Sequence, residues 1–425
     1  MAPELAQHPK KFVFVNRYFD PDQSASSQML SDLARGLAAR ARLVHVVCSR
    51  QLYDDSRAGL PPHEVRSGVT IHRVATTRFG RAGLIGRAAD YASFYVSAGL
   101  TLLRLLRAGD VVIAKTDPPL ISILAAGVAR VKGTVLINWQ QDVYPEVASH
   151  LQANPLPRWL DSQLRKLRDW SLRRAKMNVL ISNRMLGYFQ QRGIPRPQLC
   201  VIDNWADAEA IAPKPAGSSV LRARLGLADR FVVSYSGNLG RAHEFNTFLA
   251  AADAMRSESS IAFLIIGGGA KMESLRREVA KRGLENFLFL PYQRRDDLED
   301  SLAAADVHLV SLLPALQGLI MPSKVFGILA AGRPLLYIGD SHCDIARVIA
   351  ETGCGVSVAV DAVKDLVAAI RWLKSEPNVC ADMGARAREI FLRRYTMQNA
   401  IERWISVLDC GPHANMLQTH ADVPT

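Results

Sequence analysis

Cysteine is scarce in this sequence, and none of it is paired in spacing. The 425 residues hold six cysteines, Cys48, Cys200, Cys343, Cys354, Cys380 and Cys410, with no C-x-x-C and no zinc-ligand interval. That excludes a thiolate metal site readable from spacing and leaves buried free thiols, as in a reducing compartment. Long apolar runs are missing too. The longest, Ala92–Leu103, is shorter than a helical membrane span and runs into Arg104 and Arg107. The opening residues, MAPELAQHPKK, lack the apolar region of a secretory signal. Neither half begins with a G-x-G-x-x-G turn after its first strand, which argues against a plain dehydrogenase. No nucleic-acid motif appears, and no repeat recurs at a period of 20–50 residues. The expectation is a soluble, cytoplasmic chain.

What is present is a large apolar core. Hydrophobic residues make up 49% and charged residues 22%, a globular balance. The length exceeds one ordinary core, so two domains are expected. The formal net charge of +12 is unevenly placed. Residues 1–205 carry 28 Lys and Arg against 15 Asp and Glu, whereas the remainder carries 24 against 25. The whole excess lies in the first half, which should face something anionic. Nucleic acid and an anionic membrane are the candidates, and the first lacks a motif.

Strand patterns fall at Phe12–Asn16, Leu43–Cys48, Val69–Val74, Val111–Ala114, Val135–Trp139 and Val179–Ser182. Helical spacing lies between them, as at Met29, Leu30, Leu33 and Leu37. Around Trp205–Ser219, Pro213, Pro215 and Gly217 mark a linker. The alternation restarts at Phe231–Tyr235, Ile261–Ile266, Phe287–Leu290, Val307–Val310, Leu335–Ile338 and Gly355–Val358. A helical end follows, Val363–Leu373 and then Pro377 to Leu408. Strands alternating with helices predict an α/β chain of two Rossmann-like, doubly wound parallel-sheet domains. The expected division is residues 1–210, residues 211–408 with the last helix packing back on the first domain, and a tail, 409–425, poorly ordered after Gly411.

The stretch VVSYSGNLGRAHEF, Val232–Phe245, organises the second domain. It begins as a strand, turns through Ser236–Arg241, and reads as helix from His243, with Phe245, Phe248, Leu249 and Ala252 at helical spacing. A glycine turn between strand and helix exposes N–H groups beside a positive helix end, which suits a phosphate; Arg241 and His243 add charge and donors. An ordinary tight turn explains the same glycines. Two more loops follow strand ends in this domain, where doubly wound sheets bind ligands. One is Gly267-Gly268-Gly269. The other is Leu313–Arg333, in which Pro322 opens a short helix, Ser323 and Lys324 sit near its positive end, and Gly332 caps it. A lysine there suits a diphosphate. In the first domain Asp142, just past a strand, could orient a substrate hydroxyl or take its proton, or only cap a turn. Glu146 reads as a helix-start residue. Asp20, Asp22 and Ser24–Ser27 form the loop after the first strand, lining a site or capping the next helix.

Five segments carry a family resemblance, in order from about Lys10 to Leu408: YFDPDQSASSQMLSDLARGLA, NWQQDVYPEVA, SGNLGRAHEF, IIGGG and PSKVFGILAAGRP. Together they resemble family 4 glycosyltransferases of the GT-B fold, nearest the colanic-acid and O-antigen branch. The resemblance implies two Rossmann-like domains facing a cleft and a retaining, metal-independent transfer. A hexosyl or N-acetylhexosaminyl group would pass from a nucleotide sugar, uridine by family habit, to a polyprenyl-linked glycan in cell-surface polysaccharide synthesis. No cofactor is implied. The implied donor site is Gly237, Asn238, Leu239, Arg241, His243, Gly268, Gly269, Gly318, Ser323 and Lys324. In it Asn238 and His243 stand where many members have Arg and Lys, and Arg241 supplies the lost charge. Asp142, Arg241 and Lys324 are the implied catalytic set, and Asp20, Ser24, Ser26 and Asp142 the acceptor side. Many members carry two glutamates eight positions apart near this helix; here those positions read Leu319 and Gly327.

Two segments explain the basic half. Phe79–Arg107 combines Phe79, Leu84, Ile85, Tyr91, Phe94, Tyr95 and Leu100–Leu106 with Arg78, Arg81, Arg87, Arg104 and Arg107. In Pro157–Lys176, Trp159, Leu160, Leu164, Leu167 and Leu172 recur at helical spacing beside Arg158, Arg165, Lys166, Arg168, Arg173, Arg174 and Lys176. Such faces suit an interfacial helix on an anionic membrane, although packing on the protein's own sheet produces the same pattern. They predict a peripheral protein at the inner face of the cell membrane. Two rival functions share the fold: a nucleotide-sugar epimerase, which needs no acceptor, and a catalytically silent scaffold, which the missing glutamates favour.

Overall fold

A computed structural model describes residues 9–80, 83–151, 157–215 and 217–409. Arg81, the side chain of Leu84 and the tail from 410 lie outside the described residues. Contacts divide the chain into two units. The first takes described residues 9–149, 157–202 and 400–409, and the second takes 150–151 and 203–399.

The first unit is built on eight strands: β1 (Lys11–Val15), β2 (Leu43–Ser49), β3 (His63–Arg66), β4 (Val69–Val74), β5 (Val111–Lys115), β6 (Val135–Gln140), β7 (Met177–Leu180) and β8 (Leu199–Val201). Their order is β3-β4-β2-β1-β5-β6-β7-β8. All pairings are parallel except β3 with β4. The apolar runs are strands because both faces of the sheet are covered; β5 is buried at every residue. Strands β3 and β8 escaped the sequence pattern. The first, HEVR, is a mostly exposed edge, and the second has three residues. Val13, Val15, Val112 and Ala114 pack with Phe94, Ala98 and Leu102 of helix Leu84–Leu105. Trp404, on the chain's return, packs edge-on against Trp139 with centroids 4.9 Å apart.

The second unit has six parallel strands: β9 (Phe231–Asn238), β10 (Ile261–Gly268), β11 (Phe287–Leu290), β12 (Val307–Ser311), β13 (Leu335–Ile338) and β14 (Gly355–Val358). Their order, β11-β10-β9-β12-β13-β14, is that of a dinucleotide-binding sheet. Phe248, on helix Asn246–Ala254, meets Phe263 of β10 and Phe287 of β11 at centroid distances of 5.2 and 5.8 Å.

Two expectations are corrected. The turn expected at Ser236–Arg241 begins later, because β9 runs on to Asn238 with Gly237 paired to Gly267. Position 267 has φ +130, and a Cβ there would collide with the Gly237 carbonyl oxygen. The helix then starts at Asn246 and not at His243. Glu244 sets that start, its carboxylate accepting the N–H groups of Asn246 at 2.6 Å and Thr247 at 3.1 Å. The stretch expected as helix from Pro377 to Leu408 is two helices, Pro377–Arg394 and Met397–Asp409, and not one run. The break follows from backbone pairing: Ala206 N–H donates to the Tyr395 carbonyl at 3.2 Å and Met397 N–H donates to Ala206 at 3.1 Å.

Candidate active site

In the second unit the chain order reverses between β9 and β12, and ligands of such sheets bind beyond the strand ends at that reversal. Here the two glycine turns interlock. Leu239 N–H donates to the Gly268 carbonyl at 2.6 Å, and Lys271 N–H donates to Leu239 at 3.0 Å. Gly269 has φ +126, and a Cβ there would run into the Asn238 side chain and the Leu239 carbonyl. Leu239 itself is buried in the core, so its backbone alone can meet a ligand. Asn238 is exposed.

Lys324 opens the short helix Lys324–Ala330 beyond β12. The residue is half-buried, but its Nζ is buried and has no hydrogen-bond partner among the described residues. The ammonium lies 3.3 Å from the centroid of the Tyr235 ring, on β9, and a Cβ at Gly237 would stand 3.8 Å from it. The structure therefore brings Gly237 and Lys324 together across the strand reversal. Burial pulls the Lys324 pKa well below the usual lysine value. Arg241 is exposed and makes no ion pair among the described residues. Ser323 is exposed and its side chain caps nothing. Gly318 lies on the buried part of the same loop with φ +69.

His243 does not supply the expected charge. Its Nδ1 donates to the Ser311 carbonyl at 2.7 Å, tying the loop after β9 to the end of β12. Burial first, and then the nearby Lys324 charge, push its pKa down to about 3, so the ring is neutral at physiological pH. The two positions where the resemblance implies glutamate are in apolar contact. Leu319 is buried, and a Cβ at Gly327 would touch Leu302 and Ile211 at 3.8 and 3.9 Å.

In the first unit the order reverses between β1 and β5. Lys115, the last residue of β5, is buried, a feature the sequence reading missed because a strand-end lysine is usually solvated. Its Nζ donates to the Ser26 carbonyl at 2.8 Å and lies 3.7 Å from the centroid of the Trp139 ring. Thr116 Oγ1 donates to the Trp139 carbonyl at 3.2 Å and accepts from Gln141 N–H at 2.8 Å, joining the ends of β5 and β6. Asp142 lines a cavity of about 10 Å³, room for about one water, together with Lys115, Thr116, Gln140, Tyr144 and Arg168. Burial and then the Asp117 charge raise its pKa to about 6, against the pull of Lys115.

Ser26, in the first turn of helix Ala25–Ala38 and not in the expected loop, is thus joined to Lys115, and Lys115 shares the cavity with Asp142. Asp20 and Ser24 are not part of that group. Asp20 is held by ion pairs to Arg35 at 3.0 Å and Arg66 at 2.8 Å. Ser24 precedes helix Ala25–Ala38 without capping it, because its hydroxyl donates to Asp22. Asp22 also accepts Tyr53 N–H at 2.5 Å, so these residues build the loop. Among the described residues no group of three His, Cys, Asp or Glu side chains is arranged to hold a metal ion.

The two basic segments are both helical, and only parts of them face outward. Helix Leu84–Leu105 exposes Ile85 (88%), Val96 (64%), Leu100 and Leu103 beside Arg104 and Arg107. Helix Arg158–Arg174 exposes Trp159 (68%) and Leu167 with Lys166, Arg173 and Arg174. Arg168 and Leu172, expected on that outward face, are buried. Arg168 donates to both Glu146 oxygens at 2.6 and 2.9 Å and to Asp169 at 2.8 Å. Arg165 turns partly inward to Asp161 at 2.7 Å and Glu146 at 3.4 Å. Positions 161, 165, 168 and 172 share one helix face, and here that face is charged inward around Glu146. Among the described residues no helix is long and apolar enough to cross a membrane.

Comparison with known proteins agrees with this architecture. Residues 25–205 match the model of the "Glycosyl transferase 4-like domain", and residues 219–390 match that of "Glycosyl transferases group 1". WcaI of Escherichia coli K12, assigned as a colanic acid biosynthesis glycosyl transferase, is 30% identical over 53% of this chain and 55% of its own length. The chain thus spans about half of that relative. WbjE of Pseudomonas aeruginosa, assigned as a glycosyltransferase, is 26% identical over 75% of this chain and 78% of its own. Among solved structures, a sucrose-phosphate synthase from Thermosynechococcus elongatus superposes with a TM-score of 0.76 at 14% identity, covering 94% of this chain and 98% of that one. Anabaena HepE in complex with UDP superposes with a TM-score of 0.70 at 15% identity, covering 94% and 99%. Two matched domain models in sequence order, on two parallel-sheet units, show that the chain belongs to the family 4 glycosyltransferases of the GT-B fold.

Proposed function

We propose that this protein transfers a hexosyl or N-acetylhexosaminyl group, with retention of configuration and without a metal, from a nucleotide diphosphate sugar to a lipid-linked glycan in cell-surface polysaccharide synthesis. The observation that carries the reading is Lys324: a buried ammonium on an aromatic face, with no hydrogen-bond partner among the described residues, at the β9/β12 reversal. A buried charge is costly unless an opposite charge balances it, and a donor diphosphate supplies that balance. Support comes from relatives. HepE was solved with UDP and with UDP-glucose, WcaI is assigned to colanic acid biosynthesis, and WaaG, of similar fold at 15% identity and TM-score 0.68, is described as involved in lipopolysaccharide biosynthesis. In the second unit the backbone of Gly237–Leu239 and Gly268–Gly269 approaches the donor, and Lys324 and Arg241 meet its diphosphate. In the first unit Asp142 orients the acceptor hydroxyl.

As the glycosidic bond breaks, negative charge grows on the departing diphosphate, so a cation such as the exposed Arg241 contributes most at that stage. Arg241→Ala should therefore lower turnover more than donor affinity. A rise in the Michaelis constant at constant turnover would make Arg241 a uniform binder.

A silent scaffold is the second reading, and the apolar surroundings of Leu319 and Gly327 favour it. Incorporation of labelled sugar into a membrane lipid extract decides between the two: turnover supports the enzyme, and donor binding without turnover supports the scaffold.

The acceptor reading includes an anionic membrane. Ile85, Val96 and Leu100 on one helix and Trp159 on another expose apolar groups next to Arg104, Arg107, Lys166, Arg173 and Arg174. Each basic residue near an anionic surface contributes about 1 kcal/mol, and the attraction decays within about 8 Å at physiological salt. Ile85→Glu with Leu100→Glu and Trp159→Glu should release the protein from anionic vesicles in co-sedimentation, with nucleotide binding unchanged. Wild-type protein that ignores such vesicles at low salt would remove the membrane from the proposal.

A further inference from the structure

The proposed roles leave Lys115 of the first unit unused. Lys115 is 1% exposed at the end of β5. Strands β5 and β6 run parallel with Lys115 opposite Trp139, so the lysine stands beside the strand end from which the chain continues to Asp142. Its ammonium rests on the indole face and donates to the Ser26 carbonyl. An aromatic face attracts a cation and gives a neutral amine little, so the surroundings are those of a charged lysine. Lys115 and Asp142 line the same small cavity.

We infer that Lys115 is a positioning residue for sugar transfer: the buried cation that is anchored on the first turn of helix Ala25–Ala38, at the Ser26 carbonyl, shares a cavity with Asp142 and favours its carboxylate. The inference rests on the reading that Asp142 serves the acceptor.

The charges facing the pair come from each neighbouring element. Burial draws the Lys115 pKa well below the usual lysine value, and Asp142, then Asp32 of helix Ala25–Ala38, then Asp117 beyond β5 oppose the drop. On Asp142, burial and Asp117 favour the protonated acid and Lys115 favours the carboxylate. Arg168 also lines the cavity, but its charge is engaged by Glu146 and Asp169. Removing the Lys115 charge leaves Asp142 beside Asp117 in a partly buried place, so its proton should be held more tightly.

The test is a carboxyl titration of the full-length protein labelled with 13C at aspartate Cγ, with Asp142 identified as the resonance lost in Asp142→Asn. The wild-type midpoint is expected near 6. In Lys115→Met, of similar length and without charge, the midpoint should rise by about one unit, a tenfold loss of carboxylate below it. Lys115→Arg should return it toward wild type. An unmoved midpoint in folded Lys115→Met overturns the inference. The wild-type protein offers a second measurement that does not depend on the variant folding. The 15N resonance of the Lys115 ammonium should shift at the Asp142 midpoint, and one that does not respond also overturns it. Failure of the underlying reading looks different: Asp142→Asn would still incorporate labelled sugar into a membrane lipid extract at the wild-type rate, and Lys115 would then have no role in transfer even with its titration as expected.

Discussion

Arg168→Ala should destabilise the protein by about 3–5 kcal/mol, the cost of breaking a buried ion pair and leaving its partner uncompensated. The side chain is 2% exposed and holds Glu146 through both oxygens, Asp169 through one, and the Tyr144 carbonyl at 2.9 Å. Three contacts soften the loss. Asp169 keeps Arg192 at 2.6 Å, and Glu146 keeps the Tyr188 hydroxyl at 2.5 Å and Arg165 at 3.4 Å. The lower end of the range is therefore expected, read as a fall in urea midpoint at unchanged slope. The pH dependence has a definite sign. Burial pushes the Glu146 carboxyl up, but the Arg168 hydrogen bonds and charge outweigh it, and the folded pKa lies below its ordinary 4.5. Wild-type stability from this pair is present above pH 4.5 and is lost as pH falls through the lowered folded value. In Arg168→Ala the carboxyl has lost its main partner, so acidification should narrow the gap between variant and wild type. A deficit below about 1 kcal/mol at neutral pH would mean that the network is solvated and not buried.

Lys324→Met should weaken UDP binding about ten- to a hundredfold, the loss of about 1.5–3 kcal/mol for one charge-assisted contact. The free protein should melt no lower than wild type. The substitution keeps the apolar stem on Tyr235 and removes a buried ammonium that has no hydrogen-bond partner among the described residues, so it relieves a desolvation cost. Calorimetry with UDP and a melting curve of the nucleotide-free protein give the two readouts. Unchanged UDP affinity would remove Lys324 from the donor site. A large fall in melting temperature would make it a structural residue.

The fold was legible where physics is local. The inner strands of both units are continuous apolar runs, and those runs lie in sheets covered on both faces. The extension of β9 to Asn238 was not legible, because it depends on Gly237 meeting Gly267 thirty residues later in sequence. The glycine turns and Lys324 could be placed because they follow strand ends. The charge state of His243 could not, since its partner is the Ser311 carbonyl, distant in the chain. The same limit applies to charges on helices and strand ends. Helical spacing in Arg158–Arg174 shows that a face exists and does not say that Arg168 finds Glu146 and turns inward. Lys115 was passed over for the same reason, because Ser26 and Trp139 come from elsewhere in the chain.

The central claim is that the second unit binds a nucleotide diphosphate sugar at the β9/β12 reversal. Hydrogen exchange of the full-length protein, followed by mass spectrometry with and without saturating UDP, and in parallel GDP, ADP and dTDP, tests it most directly. The account predicts that one of these nucleotides slows exchange in residues 236–245 and 311–325 and leaves the first unit unchanged. Protection confined to the first unit, or no protection by any of the four, would contradict it.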